Sequence, residues 1–347
     1  MKAVVFKDVG QVAVEEVDRP VIQDPTDAII QVRKASVCGS DLHIYHGRVP
    51  GVFEGATLGH EYAGTVVEVG PDVKDFKPGD DVVGSFLIVC GACKACTSGH
   101  FSHCNDQMSL GYGVFLGDLG GSQAEFVRVP IADVNLHLAD GMDLEKALFA
   151  GDILSTAFYC AHLGGITGGE TVVVIGCGPV GILAQEASRV LGAARVIAID
   201  TVPERLEMAA KLGSEIVNAL ERNPAMAIDE MTGGEMADVV LETVGLPPAL
   251  DSAISTVKRG GTISIIGVHT EPTYEFPLQE AFLRSLKFVF GGTANVQGVW
   301  DEALEAIRSG KIDPTVIVSH HMSLEESVEA YKIFDAKKAM KIIIDVS

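Results

Sequence analysis

The stretch that most constrains the fold runs from Thr171 to Asp200. Thr171-Val172-Val173-Val174-Ile175 is an unbroken apolar run, the pattern of a strand buried on both faces. It passes straight into Gly176-Cys177-Gly178-Pro179-Val180-Gly181, and an alanine-rich helix is predicted from there through Leu191. A second strand over Ala194 to Ile199 ends on Asp200, nineteen positions after Gly181. G-x-G-x-x-G alone is weak. Between a strand and a helix, with an acid closing the next strand, it is a dinucleotide fingerprint in its required context. The turn Gly176, Gly178, Pro179, Val180 and Gly181 lets a pyrophosphate approach the backbone where the partial positive charge of the helix N-terminus favours it. Asp200 is placed to accept hydrogen bonds from the adenosine ribose and to repel a 2′-phosphate, which predicts NAD rather than NADP. Arg205, on the next helix, is expected to flank the adenine.

Further strands are predicted over Glu215 to Asn218, Ala237 to Glu242, Gly261 to Ile266 and Lys287 to Phe290. Helices over Pro203 to Leu212, Pro224 to Met231 and Pro247 to Val257 separate most of them. Six strands joined by crossover helices make a doubly wound α/β sheet. The chain before this region differs. Short β-rich runs such as Ala28 to Val32, Tyr62 to Val69 and Asp81 to Gly84 alternate with turns such as Lys77-Pro78-Gly79-Asp80. After Gly291-Gly292 come a helix from about Asn295 to Ser309, a strand near Thr315 to Ser319, a helix over Leu324 to Asp335 and a strand over Lys341 to Val346. This tail is expected to rejoin the β-rich part.

Two clusters of metal-ligating residue types lie in the β-rich part. Cys38-Gly39-Ser40-Asp41-Leu42-His43 is followed by Gly59-His60-Glu61, a thiol and an imidazole of the kind that suits Zn²⁺ better than Mg²⁺ or Ca²⁺. Cys90, Cys93, Cys96 and Cys104 form a denser group. Four thiolates at that spacing close a tetrahedron around one Zn²⁺ with no open position, which makes a structural site. Redox disulfides are the competing reading of the same four residues. The segment from Asp143 to His162 reads as helical, with Leu144, Leu148, Ile153, Ala157 and Cys160 at helical spacing. Asp152 sits inside it, where a carboxylate needs a partner; a metal supplies one, and a cap or surface position is the alternative. Cys160 and Cys177 read as packed core residues.

Composition narrows the function classes. A formal net charge of −21 argues against nucleic-acid binding and against docking on anionic membranes. There is no run of 18 apolar residues, and Met1-Lys2-Ala3-Val4-Val5-Phe6 reads as a strand rather than a leader, so a cytoplasmic location is expected. Seven cysteines, four of them within fifteen residues, then favour metal binding over disulfides.

Taken together, Cys38-Gly39-Ser40-Asp41, Gly59-His60-Glu61, the four-cysteine lobe and the Gly176 to Gly181 turn resemble the zinc-dependent medium-chain dehydrogenase/reductase family, the zinc alcohol dehydrogenases, over nearly the whole chain. The resemblance implies a GroES-like catalytic domain over 1–151 and 291–347, with the zinc lobe at 90–104, around a Rossmann domain over 152–290, and an active site between them. It implies Cys38, His60 and Asp152 as ligands of a catalytic zinc, Glu61 as a nearby and occasional ligand, and a second, structural zinc on the four cysteines. Asp41 resembles the carboxylate that orients the ligand histidine. Ser40 and His43 match the proton relay, and Thr156 and Val180 match residues against the nicotinamide. Gly39 stands where relatives carry a basic residue on the pyrophosphate, so Lys341 is expected to take that contact. The implied activity is hydride transfer between a small primary or secondary alcohol and NAD by a homodimer or homotetramer. A polyol or formaldehyde dehydrogenase of the same family is the closer alternative, since Leu116 to Glu125 and Gly151 to Leu154 are similar to glutathione-independent formaldehyde dehydrogenases. A zinc- and NAD-binding protein without turnover is the more distant one.

Overall fold

The computed structural model describes residues 1–346. The chain divides into two compact units, Met1–Asp152 with Asn295–Ser347, and Ile153–Ala294. The chain crosses between them after Asp152 and after Ala294, so Asp152 belongs to the first unit and not, as expected, to the second.

The second unit is a six-stranded parallel sheet in the order Glu215–Asn218, Arg195–Asp200, Thr171–Ile175, Ala237–Glu242, Val257–Ile265, Lys287–Phe290. This is the doubly wound order, with the reversal beside the first strand, Thr171–Ile175. Val172, Val173 and Val174 are fully buried, as an unbroken apolar run in a central strand requires. Gly178 precedes the helix Pro179–Val190, whose first-turn proline lacks the N–H that would be unpaired there in any case. Gly181 is forced by packing: a Cβ on it would meet the carbonyl oxygen of Gly176 at 2.0 Å.

The first unit is built on a seven-stranded sheet. Its path runs Val318–Ser323, Lys341–Asp345, Ala28–Val37, Tyr62–Val69, Asp81–Gly84, Leu136–Leu138, with Phe126–Val129 also paired to Ala28–Val37. The tail thus rejoins the β-rich part through Lys341–Asp345, antiparallel to Ala28–Val37. Alternation along these strands buries Ile30, Val32, Tyr62, Val66, Ile342 and Ile344 in one core. The strand expected near Thr315 begins later, at Val318, because Asp313 caps a short 3₁₀ turn over Pro314–Ile317. His320 and His321 therefore lie within that strand. Among the described residues no helix is long and apolar enough to cross a membrane.

The predicted helix from Asp143 to His162 is interrupted. A helix over Leu144–Leu148 tightens to a 3₁₀ turn at Phe149–Gly151, and a new helix starts at Ile153–Gly164. Asp152 sits at the break with φ −149° and ψ −88°, outside the helical region. The interruption frees its side chain from either helix's surface.

Candidate metal centre

Cys38 follows the long strand Ala28–Val37 and is the N-cap of the short helix Gly39–Tyr45. Its backbone N–H donates to Asp41 Oδ2 at 2.9 Å, a local contact that ties the thiol-bearing turn to the carboxylate three residues on. His60 lies just before the neighbouring strand Tyr62–Val69, and Asp152 comes from the helix break. Three remote segments thus bring Cys38, His60 and Asp152 together. One ligand atom from each lies within 4.8 Å of the others. His60 Nε2 is 3.3 Å from Asp152 Oδ2, and Cys38 Sγ is 3.9 Å from the same oxygen. The other ring nitrogen, Nδ1, is 3.0 Å from Asp41 Oδ1, which orients the imidazole with Nε2 toward the thiol and carboxylate.

Burial sets the electrostatics of this cluster. Cys38 is 9 % exposed and His60 2 %, and burial together with the nearby Glu61 pushes the Cys38 thiol up. Burial alone would lower the His60 pKa, but the carboxylates of Asp41 and Asp152 raise it well above the usual histidine range. Burial would likewise raise Asp152, yet its contact with His60 and that ring's charge bring it below the ordinary value. A dry pocket that gathers a thiol, an imidazole and a carboxylate fits a Zn²⁺ ion with three protein ligands and one position left open.

Two further candidates pair with each other. Glu61 is outside the ligand group. One of its oxygens contacts the Lys341 ammonium and the Ser36 hydroxyl, while Oε1 has no hydrogen-bond partner among the described residues. The Lys341 side chain is 1 % exposed and its ammonium is paired with Glu61. The physical reason is shared: two buried charges of opposite sign neutralise each other more readily than either tolerates isolation. Burial would lower the Lys341 pKa, but Glu61 and Cys38 raise it, so the ammonium stays charged.

Ser40 and His43 stand three residues apart on the helix Gly39–Tyr45, both half-buried, and so share one side of it. Two neighbours of His60 carried no sequence cue. Phe86 and Tyr112 stand edge-on to the His60 ring, with centroids 6.0 and 5.8 Å away. Gln123 was visible only as one polar residue in a glycine-rich stretch; it is fully buried and donates to Asp41.

The four remaining candidate ligands form the lobe. Cys90, Cys93, Cys96 and Cys104 converge between the paired strands Leu87–Ile88 and Met108–Ser109. Their sulfurs are 3.5 Å apart for Cys93–Cys96 and Cys90–Cys104, and 4.0 Å for Cys90–Cys96. An S–Zn bond of about 2.3 Å makes a tetrahedral S···S edge of about 3.8 Å, so these separations fit a closed Zn²⁺ site. They are far from the roughly 2.05 Å of a disulfide, and all seven cysteines are free.

In the second unit, Asp200 closes its strand with Oδ2 accepting from Cys177 N at 2.6 Å and Oδ1 accepting from Thr201 N and Val202 N. The acid thereby braces the Gly176 to Gly181 turn from the neighbouring strand. Arg205 lies half-buried on the helix Pro203–Lys211, Val180 on the first turn of Pro179–Val190, and Thr156 on the first turn of Ile153–Gly164.

Comparison with known proteins gives the same picture from outside. Residues 24–138 match the alcohol dehydrogenase GroES-like domain and residues 179–309 the zinc-binding dehydrogenase family. Zinc-type alcohol dehydrogenase B of Aspergillus flavus is 36 % identical over 99 % of this chain and 81 % of its own length. Among solved structures, alcohol dehydrogenase TADH from Thermus sp. ATN1 superposes with a TM-score of 0.96 at 44 % identity, covering 100 % of both chains. Zinc dependent alcohol dehydrogenase 2 from Streptococcus pneumonia, in its apo form, gives a TM-score of 0.91 at 34 % identity over 100 % of this chain and 99 % of that one.

Proposed function

This chain belongs to the zinc-dependent medium-chain dehydrogenase/reductase family of oxidoreductases, and on that premise we propose that it interconverts small primary or secondary alcohols and their carbonyls using NAD. The observation that carries this reading is the buried trio Cys38, His60 and Asp152, with the rings of Phe86 and Tyr112 edge-on to His60. Aromatic rings beside a candidate metal ligand suit an alcohol with an apolar substituent. A polyol brings further hydroxyls that need polar partners when buried.

Cys38, His60 and Asp152 would hold the catalytic Zn²⁺, and Cys90, Cys93, Cys96 and Cys104 the structural one. When bound, zinc supplies Lewis acidity toward the alcohol oxygen and the nicotinamide supplies the hydride acceptor. The chain's own groups do the rest. Asp41 holds the His60 tautomer that leaves Nε2 for the metal. Ser40 and His43 carry the alcohol proton outward. Burial, with the charges of Arg48 and His46, holds the His43 imidazole below its usual pKa, so it is a neutral base at pH 7. Gly176, Gly178, Pro179, Val180 and Gly181 cradle the pyrophosphate, Asp200 takes the ribose, Arg205 flanks the adenine, and Thr156 lies against the nicotinamide.

The test is NADH formation across a panel of alcohols, polyols and formaldehyde. Highest kcat/KM on apolar small alcohols is expected; preference for a polyol or for formaldehyde would overturn the choice. Asp200 decides the cofactor. NAD should exceed NADP roughly a hundredfold in kcat/KM, and Asp200→Ser should narrow that ratio. Equal use of both by the wild type would sink the assignment.

The edge strand Lys287–Phe290 and the preceding helix Leu278–Arg284 leave Leu278, Phe282 and Phe290 between 66 % and 78 % exposed. An unpaired edge with apolar cover favours self-pairing into a dimer or a dimer of dimers. A monomer by light scattering at micromolar concentration would rule this out.

A further inference from the structure

The hydrogen bonds behind the metal centre do not stop at Asp41, and we propose that Gln123, anchored by Tyr331, is a positioning residue that sets the orientation of Asp41 and through it of the His60 ring. The inference rests on Cys38, His60 and Asp152 being the catalytic zinc site.

Asp41 is fully buried, and its two oxygens have separate duties. Oδ2 accepts from Cys38 N at 2.9 Å and from Gln123 Nε2 at 3.1 Å; Oδ1 is left for His60 Nδ1 at 3.0 Å. Turning the carboxylate away from His60 would break both bonds to Oδ2. The Cys38 contact is local, three residues away. The Gln123 contact is not, and its own orientation is determined.

Gln123 is also fully buried. The second hydrogen on its Nε2 goes to the Ser36 carbonyl at 2.9 Å, and its Oε1 accepts from the Tyr331 hydroxyl at 2.9 Å. Flipping the amide would press Oε1 against two acceptors, the Asp41 carboxylate and the Ser36 carbonyl, and face the NH₂ toward the phenol. Only one orientation satisfies all three partners. Tyr331 comes from the helix Ser327–Asp335, fully buried and 208 residues away in sequence.

The backbone makes room for this arrangement. Gly59, the residue before His60, has φ +90°, and a Cβ there would lie 2.4 Å from Gln123 Cγ and 2.8 Å from Gln123 N. The glycine is where the Gln123 side chain packs. Gln123 N donates to Leu58 O at 2.9 Å and its carbonyl accepts from Val4 N at 2.8 Å, so the residue is held from both sides. Buried polar groups that are satisfied only as a set keep one arrangement and resist rotation. Partners of this kind beyond the ligands alter metal affinity by roughly 10- to 100-fold.

The experiment measures zinc retention by the holoprotein against a chromogenic chelator, alongside thermal melting, for Gln123→Leu and Tyr331→Phe. Gln123→Leu should release one of its two zincs with an apparent affinity lower by roughly tenfold or more, the other zinc unaffected. Tyr331→Phe removes a single hydroxyl and should shift the same zinc in the same direction by a smaller factor. It keeps the inference testable if Gln123→Leu does not fold. Melting temperature falling with zinc release unchanged in either folded variant would make Gln123 a packing residue and overturn the inference. A wild type that holds only the four-cysteine zinc would instead bring down the catalytic-site reading itself.

Discussion

The first unit carries two cysteine-bearing centres that differ in how they are made. The lobe takes its four sulfurs from residues 90–104, one continuous segment clamped by one short strand pair, and it uses no other residue type. The Cys38 centre takes three different donors from a strand end, a loop and a helix break, and surrounds them with Asp41, Glu61, Lys341 and Gln123. Four identical thiolates saturate a zinc and leave it nothing to do but hold the loop. Three unlike ligands would leave a zinc one position short, and the surrounding fold would have to keep that position open. The difference is between a site that folds its own segment and a site that the fold assembles.

The largest expected effect separates the two directly. Asp152→Ala should drop zinc from two per chain to one and turnover by roughly a thousandfold or more, since the metal's contribution to the barrier is several kcal/mol. Elemental analysis and steady-state rates measure both. Two zincs and full activity would remove Asp152 from the chemistry and dissolve the contrast.

Cys96→Ser probes the other side. It should also leave one zinc, but the loss should appear as a lowered melting temperature, with kcat of the folded fraction changed by less than roughly tenfold, because structural zinc contributes folding energy. If turnover collapsed as in Asp152→Ala while the fold held, the lobe would be part of the active centre.

The smallest effect sharpens the electrostatic difference in the zinc-stripped chain. The Cys93 thiol is drawn down to about 6 by the backbone N–H and thiol of Cys96, whereas burial pushes the Cys38 thiol above its usual value of 9.0. Thiolate is the reactive form. At pH 7 iodoacetamide should therefore modify Cys93 first, its rate falling only as pH drops through about 6, while Cys38, its thiol pushed up by burial, reacts more slowly at that pH. Peptide mapping by mass spectrometry gives the order; Cys38 labelled before Cys93 would contradict it.

These contrasts also mark how far the chain could be read before its structure. The strand–turn–helix–strand from Thr171 to Asp200 is legible because each step is local: apolar run, glycine turn, acid at a counted distance. The lobe is legible for the same reason, since its ligands are neighbours along the chain. Cys38, His60 and Asp152 could be named one by one, but nothing in their spacing says that their donor atoms meet within 4.8 Å. The helical periodicity around Asp152 even pointed away from the break that releases it, because periodicity reports apolar faces and not the dihedrals of a single residue.

What sequence alone determined, then, is everything that short-range chemistry dictates: the parallel sheet, the dinucleotide turn, the four-thiol loop and the ligand types. Tertiary structure decided the pairings between buried charges and buried amides. Lys341 was expected on the pyrophosphate because Gly39 stands where relatives carry a basic residue; the sheet brings its ammonium beside Glu61, a pairing with no cue along the chain. Gln123 meets Asp41 and Tyr331 across 82 and 208 residues. No local pattern encodes such a meeting. It follows from the desolvation cost of leaving any of these groups unpaired once strands and helices have packed.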